Sequence, residues 1–141
     1  MTTPGSLVWR LSMRWRVLVD RALAPLELTH AQYTLLANLY GRPERPSQRG
    51  LADRTGLEPL YVSKLARALE AAGLIEREPD PADTRAVRLA LTERGRAVTG
   101  EAVGIVRGLQ ERLLAPIGGP GSPQTEAFVA TLEKLLEGDP S

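Results

Sequence analysis

The sequence contains no cysteine and only one histidine, His30, among its 141 residues. Without cysteine the chain has no disulfide and no thiol for redox sensing, and one histidine cannot form a histidine cluster for zinc. An apolar run of membrane-spanning length, about 18 residues, is also absent. The first residues lack the cationic start and apolar stretch of a signal peptide. We therefore expect a soluble, cytoplasmic protein that spans no membrane and holds neither a metal nor a cofactor.

Groupings of residues that support catalysis are equally scarce. Glu76, Glu78, Asp80 and Asp83 crowd one segment, but no histidine or glycine-rich loop lies beside them. The sequence has no phosphate-binding loop and no dinucleotide fingerprint, so we do not expect an enzyme. The net charge of +1 does not indicate nucleic-acid binding by itself. The placement of basic residues has to decide that question, because a local cluster sets phosphate affinity.

Amphipathic segments dominate what the chain does contain. Hydrophobic spacing and capping residues predict helices over residues 7–23, 30–40, 48–55, 59–72 and 93–115, and from 123 onward. Two short strands, 74–78 and 87–91, enclose a polar tip. We expect residues 79–83 to leave the strands, because Pro79 and Pro81 lack backbone donors. Thr92 is predicted to cap the long helix, and Gly95 to weaken its first turn.

The segment from Leu51 to Leu57, followed by the helix that starts at Pro59, is typical of a helix-turn-helix. The core positions of the second helix are Val62, Leu65, Ala66 and Leu69, and its other face carries Leu60, Tyr61, Ser63, Lys64 and Arg67. Lys64 and Arg67 can reach guanine edges or phosphates, and Leu60 can reach a thymine methyl group. The alternative is an ordinary solvated helix face, which exposed Leu60 and Tyr61 beside cations disfavour.

The hairpin tip is a second candidate for contact with nucleic acid. Arg85 can enter a minor groove, where the negative potential is highest. Asp83 lies two residues before it, and we expect its carboxylate to orient the arginine by a charge-assisted hydrogen bond. The alternative interpretation is a polar hairpin tip without a partner.

Three stretches, Gly73–Arg77, Asp80–Arg85 and Leu89–Gly95, together resemble the wing signature of the MarR family of bacterial transcription regulators. In that family the wing reads Asp-x-Arg and runs into Leu-Thr-x-x-Gly. The resemblance covers nearly the whole chain. It implies a homodimer whose first and last helices interlock, with reading helices in successive major grooves of a palindromic operator and wings in the minor groove. Residues 59–61 depart from the small hydroxylic residues common at that helix start, which leaves the base preference open.

The predicted fold is therefore mainly α-helical with a small β-hairpin wing, a winged helix-turn-helix with N- and C-terminal dimerisation helices. Residues 1–28 form the first dimerisation helix, 29–95 the DNA-binding lobe and 96–141 the last dimerisation helices of one compact protomer. The flanking helices are more apolar than a lone winged domain can bury, which independently favours a dimer. The predicted DNA contacts are Ser47, Gln48, Pro59, Leu60, Tyr61, Ser63, Lys64, Arg67, Arg77, Asp83 and Arg85.

The resemblance also suggests where an effector would bind. Family members often bind small aromatic or phenolic molecules in a cleft between the dimer arms and the DNA-binding lobe. The two segments that would line such a cleft contain Trp9, Met13, Trp15, His30 and Tyr33. The competing interpretation is that these side chains pack in the core and the dimer interface.

Four functions compete on these observations. The leading one is a regulator, usually a repressor, whose DNA affinity a ligand tunes. A constitutive or architectural DNA-binding protein without an effector would bind DNA in a salt-dependent but sequence-indifferent way. The third function, an enzyme, is disfavoured because the sequence lacks the groups of residues that catalysis needs. A protein-interaction module would need no basic reading face, contrary to Lys64, Arg67 and Arg85.

Overall fold

The computed structural model describes residues 2–42 and 44–141. The elements run in the order α1 (Pro4–Leu23), α2 (His30–Leu39), α3 (Gln48–Thr55), α4 (Pro59–Ala71), β1 (Ile75–Asp80), β2 (Asp83–Leu91), α5 (Glu93–Leu114) and α6 (Pro123–Glu137). Single turns of 3₁₀-helix, Ala24–Leu26 and Ala115–Ile117, follow α1 and α5. The predicted mainly helical fold with a β-hairpin wing is confirmed.

Local capping fixes most of the helix boundaries. Thr29 accepts a hydrogen bond from the backbone of Gln32, whose side chain bonds back to the Thr29 N–H, so a complete capping box starts α2. Ser47, Thr92 and Ser122 cap α3, α5 and α6 more simply, since each side-chain oxygen accepts one hydrogen bond from the backbone N–H three residues later. The predicted start of the first helix at residue 7 was wrong. Thr3 forms a capping box with Ser6, so α1 begins one turn earlier.

The wing is longer than the sequence predicts. Strand β1 continues through Pro79, which lies opposite Val87, to Asp80, which lies opposite Asp83. The expectation that residues 79–83 leave the strands was wrong for 79, 80 and 83. Strand β1 forms one edge of the sheet, and proline is tolerated there where its nitrogen faces away from the partner strand. The hairpin therefore carries its turn further from the core than a pair of five-residue strands would.

A single apolar core joins the winged lobe to the flanking helices. Its fully buried side chains include Leu36, Leu51, Val62, Leu69 and Leu89 from the lobe, Val19 and Leu23 from α1, and Ala102 from α5. Burial of these side chains is the main driving force for the fold. The same core orients α1 and α5 relative to α4 and the wing.

The start of α5 is anchored to the segment between α4 and β1. The Thr92 backbone N–H donates to the Leu74 carbonyl oxygen at 3.0 Å, and the Thr92 hydroxyl donates to the Gly73 carbonyl oxygen at 2.6 Å. Gly95 is buried against Leu74. Gly95 thus also has a packing role that its weak helix propensity does not indicate, because a side chain there would collide with the Leu74 backbone.

Apolar side chains remain exposed on α1 and α6. They are Leu7, Val8, Trp9, Leu11, Met13 and Val17 on α1, and Val129, Leu132, Leu135 and Leu136 on α6. Of the residues in α6, only Thr125 is buried. An amphipathic helix that buries so little in its own protomer lacks the tertiary packing that normally stabilises such a helix. Within residues 2–42 and 44–141, no helix is long and apolar enough to cross a membrane.

Candidate nucleic-acid interface

The turn between α3 and α4 sets the angle of the second helix. Gly56 ends α3 in the left-handed conformation, with φ of 75°, which glycine adopts without a steric cost. Leu57 packs against the core, and Glu58 caps α4 by accepting a hydrogen bond from the Tyr61 N–H at 3.2 Å. Pro59 then occupies the first helical position, where its missing N–H costs nothing.

Helix α4 has one buried face and one exposed face, as predicted. Val62, Leu65 and Leu69 are buried in the core. Leu60, Lys64 and Arg67 are exposed and recur at spacings of four and three residues, so they form one stripe opposite that core. Tyr61 is also exposed and Ser63 is half-buried, both at the margins of the stripe. This exposed face is the one that a helix-turn-helix presents to a major groove.

The wing tip holds Arg85 in a different way from the predicted one. Asp83 accepts a hydrogen bond from the Arg85 backbone N–H at 3.0 Å, and Asp80 accepts one from the Ala82 N–H at 2.9 Å. The expected hydrogen bond from the Arg85 guanidinium to Asp83 is not among the contacts of the described residues. The carboxylate therefore shapes the turn backbone and leaves the exposed guanidinium available for a partner.

A groove of about 620 Å³ separates the starts of α3 and α4 from the wing. Its lining residues are Ser47, Gln48, Arg49, Pro59, Asp83, Arg85, Ala86 and Val87. The fold thus brings five of the predicted DNA contacts, from three separate segments, to one concave surface. Arg49 belongs to the same surface and was missed by the sequence analysis. The sequence did contain an indication of this contact, because Arg49 directly follows the predicted contacts Ser47 and Gln48 and is exposed.

Arg77 has structural partners in the protomer. Its Nε donates to the Gln48 Oε1 at 3.1 Å, and its guanidinium lies 3.8 Å from the Glu70 carboxylate. The Arg77 side chain is half-buried as a result. These contacts connect β1 to the start of α3 and to α4, so Arg77 fixes the wing relative to the helix-turn-helix.

A second set of contacts fixes the wing from the other side. The Glu78 carboxylate accepts hydrogen bonds from Arg45, in the segment before α3, and from Arg88 on β2 at 2.9 Å. Arg88 also forms a β-bridge with Ser47. The hydrogen bond from Arg45 is the main cause that lowers the pKa of Glu78 below its ordinary value. The wing is thereby held beside the residues that begin the helix-turn-helix.

The five residues predicted for an effector cleft are distributed over three places. Trp15 lines two adjoining apolar cavities between α1, α5 and α6, of about 420 and 260 Å³. Trp9 and Met13 are exposed on α1. His30 and Tyr33 are half-buried on α2, and burial lowers the pKa of His30 and raises that of Tyr33. The His30 backbone N–H donates to the Asp20 carboxylate at 2.6 Å, which links α2 to α1.

A helix-turn-helix with cations on its second helix, followed by a wing with an exposed arginine, defines a winged helix DNA-binding protein. A sequence model of the MarR family matches residues 26–86 of the chain. The uncharacterized HTH-type transcriptional regulator YdcH of Bacillus subtilis is 34% identical over 139 residues, which cover 96% of this chain and 91% of YdcH. The chain therefore belongs to the MarR family of DNA-binding transcription regulators, as its wing signature predicts.

Solved structures agree with this assignment. MepR of S. aureus, in a complex with DNA, is 26% identical with a TM-score of 0.86, and the match covers 96% of this chain and 98% of MepR. BpsR of Bordetella bronchiseptica, whose DNA binding is regulated by 6-hydroxynicotinic acid, is 26% identical with a TM-score of 0.83. That match covers 97% of this chain and 95% of BpsR.

Proposed function

We propose that this regulator binds a palindromic operator in double-stranded DNA as a homodimer and represses transcription until a small aromatic molecule releases it. The observation that carries the proposal is the groove between the wing and the starts of α3 and α4, which Arg49 and Arg85 line. Lys64 and Arg67 extend the basic surface along α4. Such a regulator acts where the chromosome lies, so we propose a cytoplasmic location.

Each surface has a distinct role in this proposal. The exposed stripe of α4 enters a major groove, where Arg67 reaches base edges or phosphates and Lys64 reaches a phosphate. Arg85 enters the adjoining minor groove and is attracted by its negative potential. Ser47, Gln48 and Arg49 approach the DNA backbone at the start of α3, where backbone contacts fix the register of the protein.

The dimer is supported by the apolar surface of α1 and α6. Leu135 and Leu136 are 68% and 85% exposed. The cavity of about 420 Å³ between α1 and α6 is lined by Leu7, Val8, Leu11, Ser12, Trp15, Phe128 and Leu132. A second copy that covers these side chains removes them from water in both protomers. A twofold dimer presents two α4 helices, which require two half-sites about one helical turn apart.

Release by an effector is supported by the relative BpsR, whose DNA binding responds to 6-hydroxynicotinic acid. In this chain we propose that the ligand binds beside His30 and Tyr33, where α1 and α2 meet. Residues His30 and Asp20 join these helices through a hydrogen bond of 2.6 Å. A ligand that shifts α1 against α2 would also change the separation of the two α4 helices in the dimer. The DNA affinity would then fall, because both α4 helices must contact their half-sites at the same time.

Selection of bound sequences from random duplex DNA at fixed salt tests this function. We expect one palindromic sequence to be enriched and bound at least about a thousandfold more tightly than unrelated DNA. Lys64→Ala should lower the affinity for operator and unrelated DNA alike and reduce the slope of log K against log salt by about one. Salt-dependent binding without sequence preference would instead establish the constitutive alternative and remove operator recognition from the proposal.

A further inference from the structure

Leu60 is an exposed apolar residue on the otherwise basic surface of α4, and attraction to phosphates does not account for it. Its side chain is 78% exposed, more than that of any other large apolar residue described outside α6. Isolated exposed leucines are common on protein surfaces and need no explanation. Leu60, however, shares its stripe with Lys64 and Arg67, directly opposite the buried Val62 and Leu69. It therefore lies at the N-terminal end of the stripe that we propose enters the major groove.

The start of α4 is poorly suited to bind a phosphate. Of the first three helical positions, Pro59 has no N–H and the Tyr61 N–H already donates to the Glu58 carboxylate at 3.2 Å, which leaves only the Leu60 N–H for a phosphate. The negative charge of Glu58 also opposes a phosphate at the positive end of the helix dipole. The first turn of α4 thus presents the apolar side chain of Leu60 at a position where a helix start would normally bind a phosphate.

An apolar side chain in the major groove has one matching chemical group among the base edges. The C5-methyl of thymine is apolar, whereas the other major-groove atoms that distinguish the bases donate or accept hydrogen bonds. A leucine placed against those polar atoms would displace water without replacing its hydrogen bonds.

We propose that Leu60 reads the methyl group of a thymine in each half-site of the operator and is the main source of base preference at the start of α4. Because the contact requires α4 to enter a major groove, it rests on the function proposed above. The methyl group loses contact with water when it packs against Leu60, which stabilises the complex by the hydrophobic effect.

Replacement of thymidine by deoxyuridine in the selected operator tests this contact, since the substitution removes only the methyl group and preserves base pairing. Each thymine is replaced in turn at both half-sites, and the affinity of the full-length protein is measured by fluorescence anisotropy at fixed salt. For one symmetric pair of positions we expect the affinity to fall about fourfold per half-site. Leu60→Ala should bind the unmodified operator more weakly and show less than a twofold response to the same replacement.

Lys64→Ala is the matched comparison, because it removes a neighbouring contact on the same stripe. This variant should bind more weakly and keep the full response to deoxyuridine. A response that persists in Leu60→Ala would assign the methyl contact to another side chain and overturn the proposal. So would an operator at which no single thymine replacement changes the affinity of the parent protein. Failure to select any preferred sequence would instead contradict operator recognition itself, so the two failures are distinguishable.

Discussion

Helix α5 passes so close to Leu74 that a β-carbon on Gly95 would overlap the Leu74 carbonyl oxygen and lie 2.8 Å from its carbonyl carbon. The same carbonyl oxygen accepts a hydrogen bond from the Thr92 N–H at 3.0 Å. The Leu-Thr-x-x-Gly end of the wing signature thus has a physical cause in this chain. Thr92 caps α5 and bonds to the 73–74 segment, and Gly95 leaves room for that approach.

Gly95→Ala should therefore destabilise the protein even though alanine favours a helix. We expect the free energy of unfolding to fall by about 1–3 kcal/mol, since backbone atoms must move to admit the methyl group. Gly104→Ala in the same helix is the matched control. Apart from its chain neighbours and the nearby backbone of α5, no described atom lies within 4 Å of its added β-carbon, so we expect no loss and a gain of up to about 1 kcal/mol. Equal melting temperatures of the two variants would refute the close approach of α5 to Leu74.

The sequence predicts the starts of α2, α3, α5 and α6 because capping is local, although the equally local cap of α1 was missed. Thr29 and Ser47 lie within three residues of the groups that they bond, so a short window contains the whole signal. The role of Gly95 depends on Leu74, which is 21 positions earlier and is brought near only by the tertiary fold. The continuation of β1 through Pro79 was missed for a similar reason, because the edge position of a strand is a property of the sheet.

The candidate site shows the same division between local and tertiary information. The exposed stripe of α4 follows from helical spacing alone, and the sequence predicts it. The place of Arg49 in the groove could not be predicted, because it depends on the tertiary fold that brings the wing to face the start of α3. Glu78 bonds to Arg45, which is 33 positions away in the sequence, and to Arg88, which is 10 positions away. No local sequence pattern predicts contacts over such separations.

Arg85→Ala should weaken operator binding by about 1–3 kcal/mol and leave the melting temperature nearly unchanged, because the guanidinium is exposed and its backbone N–H keeps Asp83 as a partner. The affinity is measured at fixed salt, with thermal unfolding in parallel. Arg112→Ala removes an equal charge from an exposed position on α5 and should leave DNA affinity within about twofold of the parent. If the two variants bind alike, the wing arginine makes no DNA contact.

Glu78→Gln should reveal a stability contribution that depends on pH. The pKa of Glu78 is lowered in the folded protein, chiefly by its hydrogen bond with Arg45. Its contribution is therefore complete above its ordinary pKa of 4.5 and is lost as the pH falls through the lowered folded-state value. We expect the parent protein to melt at a higher temperature than Glu78→Gln at pH 7, and the difference to shrink below about pH 5.

The control for this measurement is Glu101→Gln, which changes an exposed carboxylate on α5 that has no ion pair among the described residues. Its melting temperature should follow that of the parent at each pH. A difference between the parent and Glu78→Gln that stays constant from pH 7 to pH 3 would mean that the Glu78 charge does not hold the wing to Arg45 and Arg88.

Leu135→Asp should separate the protomers. Leu135 is 68% exposed and continues the α6 stripe of Phe128 and Leu132, which line the apolar cavity beside α1. In a dimer that covers this stripe, an aspartate would bury an unpaired charge in both protomers. We expect association to weaken by at least about 2 kcal/mol, roughly thirtyfold in the dissociation constant. Sedimentation velocity at micromolar concentration distinguishes monomer from dimer for the parent and the variant.

Leu60→Asp is the matched control for the dimer, because Leu60 is 78% exposed but lies on α4, on the face of that helix opposite the buried Val62. The same chemical change at this position should leave the dimer intact while it weakens DNA binding, since a carboxylate there would face the bases and phosphates. Leu135→Asp should weaken operator binding too, but through the loss of the second half-site contact. A parent protein that sediments as a monomer, or a Leu135→Asp variant that remains a dimer, would exclude the α6 stripe from the interface and require another surface to pair the two reading helices.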